Sequence, residues 1–248
     1  MHPVFAVDGH VQAMGGWITI DSPTVLGVMA GAGFDYLCID AQHSLIGVTE
    51  AARLLHCVDR SGPPVLVRLP GNDAADIGKM LDCGADGVVV PMVETARQAG
   101  EAASACAYAP LGRRSFGPIR RDLPRDPAGL AGRASCFAMI ETRAGVDNAA
   151  AIAAVSGIAG LYLGPADLAI SLGLEPGDWK APEVQRASAA MVDACRTAGK
   201  IAGGHAMSAS QAADMIALGI SHVSLTSDKG FIASGAGAML ADLRQSIA

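Results

Sequence analysis

The chain has 248 residues, 51% of them hydrophobic and 17% charged, with a net charge of −6. It is too apolar for a disordered protein and too acidic for an ordinary nucleic-acid binder. No apolar run reaches the roughly 18 residues of a membrane span, no Lys or Arg precedes Arg53 to open a signal peptide, and six cysteines without a CxxC read as reduced thiols of a cytoplasmic protein.

In chain order, short runs rich in Val, Ile and Leu alternate with longer Ala-rich segments of helical period. The first strand is predicted over 17–20, with a helix over 23–32. A strand over 36–40 leads to a helix over 48–60, and one over 65–69 to a helix over 74–83. The pairs 87–91 and 95–107, 137–141 and 144–155, and 160–164 and 184–198 follow. Strands over 201–205 and 222–226 precede helices over 209–218 and 235–246.

The wording "AGAGFDYLCID", "LDCGADGVVVP", "VSGIAGLYLGP" and "LGISHVSLT" repeats a helix end, a glycine stop and a buried strand. Eight such units in 248 residues predict one (β/α)8 TIM barrel as a single domain over 1–248. An open doubly wound sheet would call for a GxGxxG after the first strand, and "GGWITIDSPT" has none. Two stretches, 108–135 and 165–182, are long for barrel connections and read as functional or inter-subunit loops.

In a barrel the chemistry gathers at the C-terminal ends of the strands. The second strand ends in Asp40, with Gln42 and His43 beyond it; the third carries Arg68. The fifth ends in Glu141, the sixth runs into Gly164-Pro165-Ala166-Asp167, and the seventh ends in His205. Glu141 and Asp167 are two carboxylates on neighbouring strands, suited to a hard divalent cation such as Mg²⁺ or Mn²⁺; a capping Asp plus an ion-paired Glu is the alternative. Arg68 inside an apolar strand needs a partner, either Asp40 beside it or an anionic ligand. His43, close to both, is a candidate general base.

A Schiff-base mechanism would need a lysine projecting into the barrel. Of four lysines, Lys79 is helical, Lys180 lies in a loop, Lys200 opens the seventh strand on the wrong face, and Lys229 sits in a polar turn expected to be exposed. Metal-assisted enolate chemistry is therefore favoured over an imine. The 113–125 segment, with five arginines around Phe116-Gly117-Pro118, reads as an ordered surface or interface turn.

Together, "AGFDYLCIDAQHS", "VLVRLPGND", "KMLDCGADGVVVPMVET", "YAPLGRRSFGP", "AMIETRAGVDN" and "GLYLGPADLAISLG" resemble the HpcH/HpaI family of class II, metal-dependent pyruvate aldolases, over about Gly15 to Thr226. The "IDAQHS", "RSFGP" and "MIETR" wording is most similar to the hydroxyketoacid aldolases of that family. The resemblance implies reversible cleavage of 4-hydroxy-2-oxo acids to pyruvate, or a related 2-oxo acid such as hydroxypyruvate, and an aldehyde. It implies Glu141 and Asp167 as ligands of a divalent metal, Mg²⁺ or Mn²⁺ first and Co²⁺ or Zn²⁺ as further candidates. It implies His43 as acid/base assisted by Asp82, Arg68 on the enolate, and the Gly164–Ala166 backbone, Pro165 included, on the carboxylate. It implies a hexamer, a trimer of dimers with an exchanged C-terminal helix, in which Phe116 reaches a neighbouring subunit's pocket.

Three positions depart from the family pattern. Gln42 stands where many members have Glu, Met139 where many have Gln, and His205 where an apolar residue is expected; Gln42 and His205 are read as substrate contacts. Asp82, at a helix end before the fourth strand, belongs to the bottom of its own barrel, so a His43–Asp82 contact is expected between subunits. Two other readings compete: a CoA-thioester lyase of the citryl or malyl type, and a non-catalytic metabolite-binding barrel.

Overall fold

A computed structural model describes residues 2–5 and 12–247. Eight parallel strands close in sequence order into one barrel. They are β1 (Ala13–Ile18), β2 (Tyr36–Asp40), β3 (Val65–Arg68), β4 (Gly87–Val90), β5 (Ser135–Ile140), β6 (Ile158–Leu163), β7 (Ile201–Ala206) and β8 (His222–Leu225). Around them lie α1 (Pro23–Ala30), α2 (Val48–Cys57), α3 (Ala74–Asp82), α4 (Ala96–Cys106), α5 (Pro127–Ala131), α6 (Arg143–Asp147), α7 (Ala149–Ala153), α8 (Pro165–Ser171), α9 (Pro182–Ala198), α10 (Ala209–Leu218) and α11 (Asp228–Ser246).

Strand alternation sorts the side chains into two cores. One set, including Ile18, Leu37, Ile39, Val67, Val88, Ile140 and Leu163, packs outward against the helices. The other, with Trp17, Tyr36, Leu66, Phe137, Met139 and Tyr162, fills the barrel interior. Phe5, carried by a short 3₁₀ turn at Pro3–Phe5, is fully buried in that inner set and packs edge-on against Tyr36 and Phe137. Among the described residues the interior is packed with side chains.

Four expectations need correction. β1 spans Ala13–Ile18 and not 17–20, because Gly15 and Gly16, which look like strand breakers, pair with Tyr36 and Leu37 of β2. The helix expected over 144–155 is two short ones, α6 and α7, meeting at Asn148, which caps the first and opens the second. The stretches 108–135 and 165–182 contain α5 and α8, each started by a proline in its first turn. α11 begins at Asp228, well before 235, and this places Lys229 in a helical first turn.

Buried Asp228 anchors the start of α11 by accepting from Thr19 Oγ1 at 2.5 Å and from the Thr19 and Ile20 amides at 2.9 Å. Phe231 packs on Phe34. From Ile232 to Ile247 every residue of the chain is exposed, including Met239, Leu240 and Leu243. Among the described residues no helix is long and apolar enough to cross a membrane.

Candidate active site

The C-terminal ends of the strands surround a cavity of about 340 Å³. Asp40, His43, Arg68, Glu141, the Gly164–Asp167 turn and His205 all line it, so the structure gathers these sequence-predicted residues in one place. Trp17, Thr19, Met139, Met207, Ser227 and Lys229 complete the lining. A larger groove of about 580 Å³ lies on the outer wall between α6, α7 and α9. Its lining is mostly alanine with Asp147, Asp193 and Thr197, and it lacks the convergent charged groups of the strand ends.

Asp40 organises one wall. Its carboxylate accepts from Arg68 Nε at 3.0 Å and Nη2 at 2.5 Å, a side-on fork in which both partners are buried. It also accepts from Trp17 Nε1 at 3.1 Å and from the Gln42 and His43 amides at 3.0 Å. Burial alone would raise the Asp40 carboxyl, but the Arg68 hydrogen bonds and charge outweigh it and hold the group below its ordinary range. Arg68 also lies 5.1 Å from the Trp17 ring centroid. Its Nη1 has no protein partner among the described residues. Of the two sequence readings of Arg68, the pairing with Asp40 is present in the structure.

Glu141 follows β5 directly, since the strand ends at Ile140 and not at 141. Burial raises its carboxyl above the ordinary value, opposed by the Met92 amide, reinforced by the Asp167 charge and opposed again by Arg68. The Met92 amide donates to Oε1 at 2.7 Å from a left-handed backbone, φ 53°. Gly164 is required here: a Cβ would come within 2.5 Å of Glu141 Oε2 and 2.9 Å of its Cβ. The absent side chain lets the start of α8 approach Glu141 and brings Asp167 beside it. Among the described residues Asp167 has no hydrogen-bond or ion-pair partner, and no set of three or more His, Cys, Asp and Glu is gathered for a metal. Two hard carboxylates side by side are a donor set that fits a divalent cation.

His205 lies near the end of β7. Its ring is 4.6 Å from that of Trp17, and Nδ1 is 2.9 Å from Ser224 Oγ. Burial, followed by the Arg68 charge and against Asp40, lowers it to about 4, so it is neutral at pH 7.

Three predicted residues are not at this cavity. Gln42 turns away from the lining, and its Oε1 is buried without a partner. Asp82 ends α3 at the opposite end of the barrel, where Arg114 Nη2 donates to it at 2.6 Å. Phe116 is there too, 48% exposed and 5.9 Å from Tyr108, next to Gly117 and Asp82. Asp82 and Phe116 are therefore brought together, but away from their own His43. Trp17 and Ser224 were not singled out from sequence; a tryptophan in a Gly-flanked strand and a strand serine carry no motif signal.

The sequence profile of the HpcH/HpaI aldolase/citrate lyase family matches residues 13–234. A hydroxypyruvate/pyruvate aldolase of Rhizorhabdus wittichii is 37% identical over 237 residues, 94% of each chain. The 5-keto-4-deoxy-D-glucarate aldolase of Klebsiella pneumoniae is 35% identical over 234 residues, 92% of this chain and 91% of that one. The crystal structure of an HpcH/HpaI aldolase/citrate lyase family protein from Burkholderia cenocepacia superposes with a TM-score of 0.88 at 27% identity, over 96% of each chain. With the profile covering every strand and the cavity they build, this chain belongs to the HpcH/HpaI aldolase/citrate lyase family.

Proposed function

We propose that this protein is a metal-dependent aldolase, a carbon–carbon lyase that reversibly cleaves a 4-hydroxy-2-oxo acid to pyruvate, or a related 2-oxo acid such as hydroxypyruvate, and an aldehyde. The observation that carries this reading is the convergence of Glu141, Asp167, Arg68 and His43 on one cavity. Glu141 and Asp167 would hold the cation, with Mg²⁺ or Mn²⁺ matching an all-oxygen donor set. When bound, that ion neutralises negative charge developing on the 2-oxo oxygen.

The protein's own groups divide the remaining work. The Gly164 amide is taken by Ile140 O and Pro165 has no N–H, so within the Gly164–Ala166 segment it is the Ala166 amide, without a helical acceptor, that suits the substrate carboxylate. Arg68 Nη1 meets the enolate oxygen. His43, exposed at the mouth, takes the proton from the C4 hydroxyl. The C4–O pair then forms the aldehyde carbonyl as the C3–C4 bond breaks. The electrons of that bond pass to the 2-oxo oxygen, and protonation at C3 completes the oxo-acid product.

We read residues 1–248 as one domain working in a homo-oligomer, with a hexamer as the family-like form. The uncovered apolar side chains of α11 support its packing on another subunit. Since Asp228 ties the start of that helix to β1, only the part beyond Phe231 would be exchanged. At the bottom of the barrel, Tyr108 Oη and Arg114 Nε are buried without partners beside Asp82, as on a surface that a neighbour completes. A neighbouring subunit would present Asp82 and Phe116 to His43. A chain ending at Ala233 should then sediment as a smaller species than the full chain, and an unchanged sedimentation coefficient per subunit count would remove the exchange.

The experiment for the aldolase itself is pyruvate release from a panel of 4-hydroxy-2-oxo acids, after chelation and after adding back Mg²⁺ or Mn²⁺. Release that returns with the metal is expected. Release untouched by exhaustive chelation would refute metal dependence, and none under any condition would refute the aldolase.

A further inference from the structure

His205 is the upper end of a hydrogen-bonded column that runs down the barrel axis. Tyr36 Oη and Tyr162 Oη are 3.2 Å apart, and Tyr162 donates to Ser224 Oγ at 2.7 Å. Ser224 Oγ lies 2.9 Å from His205 Nδ1. Four strands supply the column, β2, β6, β8 and β7, and all four side chains are buried or nearly so.

Two glycines make it fit. A Cβ at Gly15 would lie 2.4 Å from the Tyr36 ring, and one at Gly203 would lie 2.6 Å from the Tyr162 ring. The strand glycines thus clear space for two tyrosines whose hydroxyls meet at the axis.

Proton counting narrows the direction of the column to the choice that Ser224 makes. Tyr162 gives its proton to Ser224, so Tyr36 gives its own to Tyr162. Ser224 then has one hydrogen and two acceptors in reach, His205 Nδ1 at 2.9 Å and Gly204 O at 3.5 Å. Given to the shorter contact, it makes Nδ1 an acceptor; given to Gly204 O, it would leave Nδ1 the donor. A neutral imidazole with an accepting Nδ1 carries its proton on Nε2. That nitrogen has no protein partner among the described residues, and the ring lines the cavity.

We propose that His205 is a neutral Nε2–H donor that selects ligands carrying a hydroxyl or carbonyl oxygen on the β7–β1 side of the cavity, in preference to an alkyl group. It is a specificity-determining residue and not a second base, and the inference rests on the aldolase reading only for the identity of the ligand. A site built to bond an oxygen discriminates against the analogue lacking it, because the buried donor is then unpaired. The Trp17 ring at 4.6 Å keeps the imidazole from swinging away. Two sources could carry the oxygen: the 2-oxo acid, as a 3-hydroxyl, or the aldehyde, as a 2-hydroxyl.

The test compares four pairings in the synthetic direction, pyruvate or hydroxypyruvate with acetaldehyde or glycolaldehyde, for the wild type, His205→Leu and Ser224→Ala. Circular dichroism confirms that each variant is folded. His205→Leu should lower the hydroxylated-to-alkyl ratio of kcat/KM about tenfold on one side, the scale of one neutral donor. The side on which the ratio falls identifies which reactant carries the oxygen. Ser224→Ala, which only positions the ring, should lower the same ratio less, and His205→Gln, which still donates, should restore part of it. An equal loss on all four pairings, or no change in any ratio, overturns the proposal. The tautomer is read separately from ¹⁵N–¹H correlations of the histidine ring. An Nε2–H form supports the proposal and an Nδ1–H form overturns it. A wild type inactive on every pairing would sink the aldolase reading, while the tautomer would still decide this one.

Discussion

Arg68→Lys separates the two arms of one side chain. In the wild type, Nε and Nη2 hold Asp40 and Nη1 is free for the enolate. A lysine places one nitrogen where three stood, so it can face Asp40 or the ligand but not both. If the ammonium stays with buried Asp40, the developing negative charge loses its donor. Loss of one oxyanion donor costs about 3–4 kcal/mol, or 10²–10³ in kcat. Stability falls less, by about 1.5–3 kcal/mol, because a charge remains beside Asp40 and one charged hydrogen bond is lost. The assay is kcat/KM for pyruvate release at saturating metal, beside urea unfolding of the same preparation. A lysine variant that unfolds earlier but keeps wild-type kinetics would refute the role of the free arm. Arg68 would then be only the partner of Asp40.

Glu141→Gln should abolish metal-dependent turnover and weaken Mn²⁺ binding by calorimetry, with Tm unchanged or higher, since burial already disfavours the Glu141 charge. Asp40→Asn should cost about 3–5 kcal/mol at pH 7 by leaving Arg68 buried and unpaired. The Asp40 carboxyl is held below its ordinary value, so its contribution is present above about pH 4 and lost as pH falls through the lower folded value. Acid titration of the urea midpoint should therefore be flatter in Asp40→Asn than in the wild type, and parallel curves would remove the linkage. For Asp82, mixing inactive His43→Ala subunits with Asp82→Ala subunits should regain activity if the two act across an interface; mixtures that stay dead after subunit exchange would place the pair elsewhere.

The barrel was legible because its signal is repetitive: buried β-branched runs, glycine stops and eight units. Strand ends were read to within a residue or two wherever Val, Ile and Leu set them, as in Tyr36–Asp40. β1 was misplaced because Gly15 and Gly16 carry no β-propensity of their own; their place is set by Tyr36 and Leu37 across the sheet, which a local window does not see. α8 was missed because Gly-Pro reads as a turn, although proline also suits the first helical position. Charged residues at strand ends were found from topology, since strand order alone fixes which end they share. The support behind them, Trp17 on Asp40 and Ser224 on His205, depends on strands far apart in sequence and was invisible before the barrel closed.

Among the described residues, packed side chains floor the cavity, and its mouth lies at the strand ends. Glu141 and Arg68 lie deep, and His43 lies at the rim. Under the proposed chemistry, the fragment holding the carboxylate is the inner guest and the aldehyde the outer one. The aldehyde must leave first in cleavage, and the 2-oxo acid must enter first in synthesis. Traffic is then strictly ordered, and aldehyde bound ahead of its partner blocks the entrance. High aldehyde should slow synthesis at low 2-oxo acid and cease to do so when the acid is saturating.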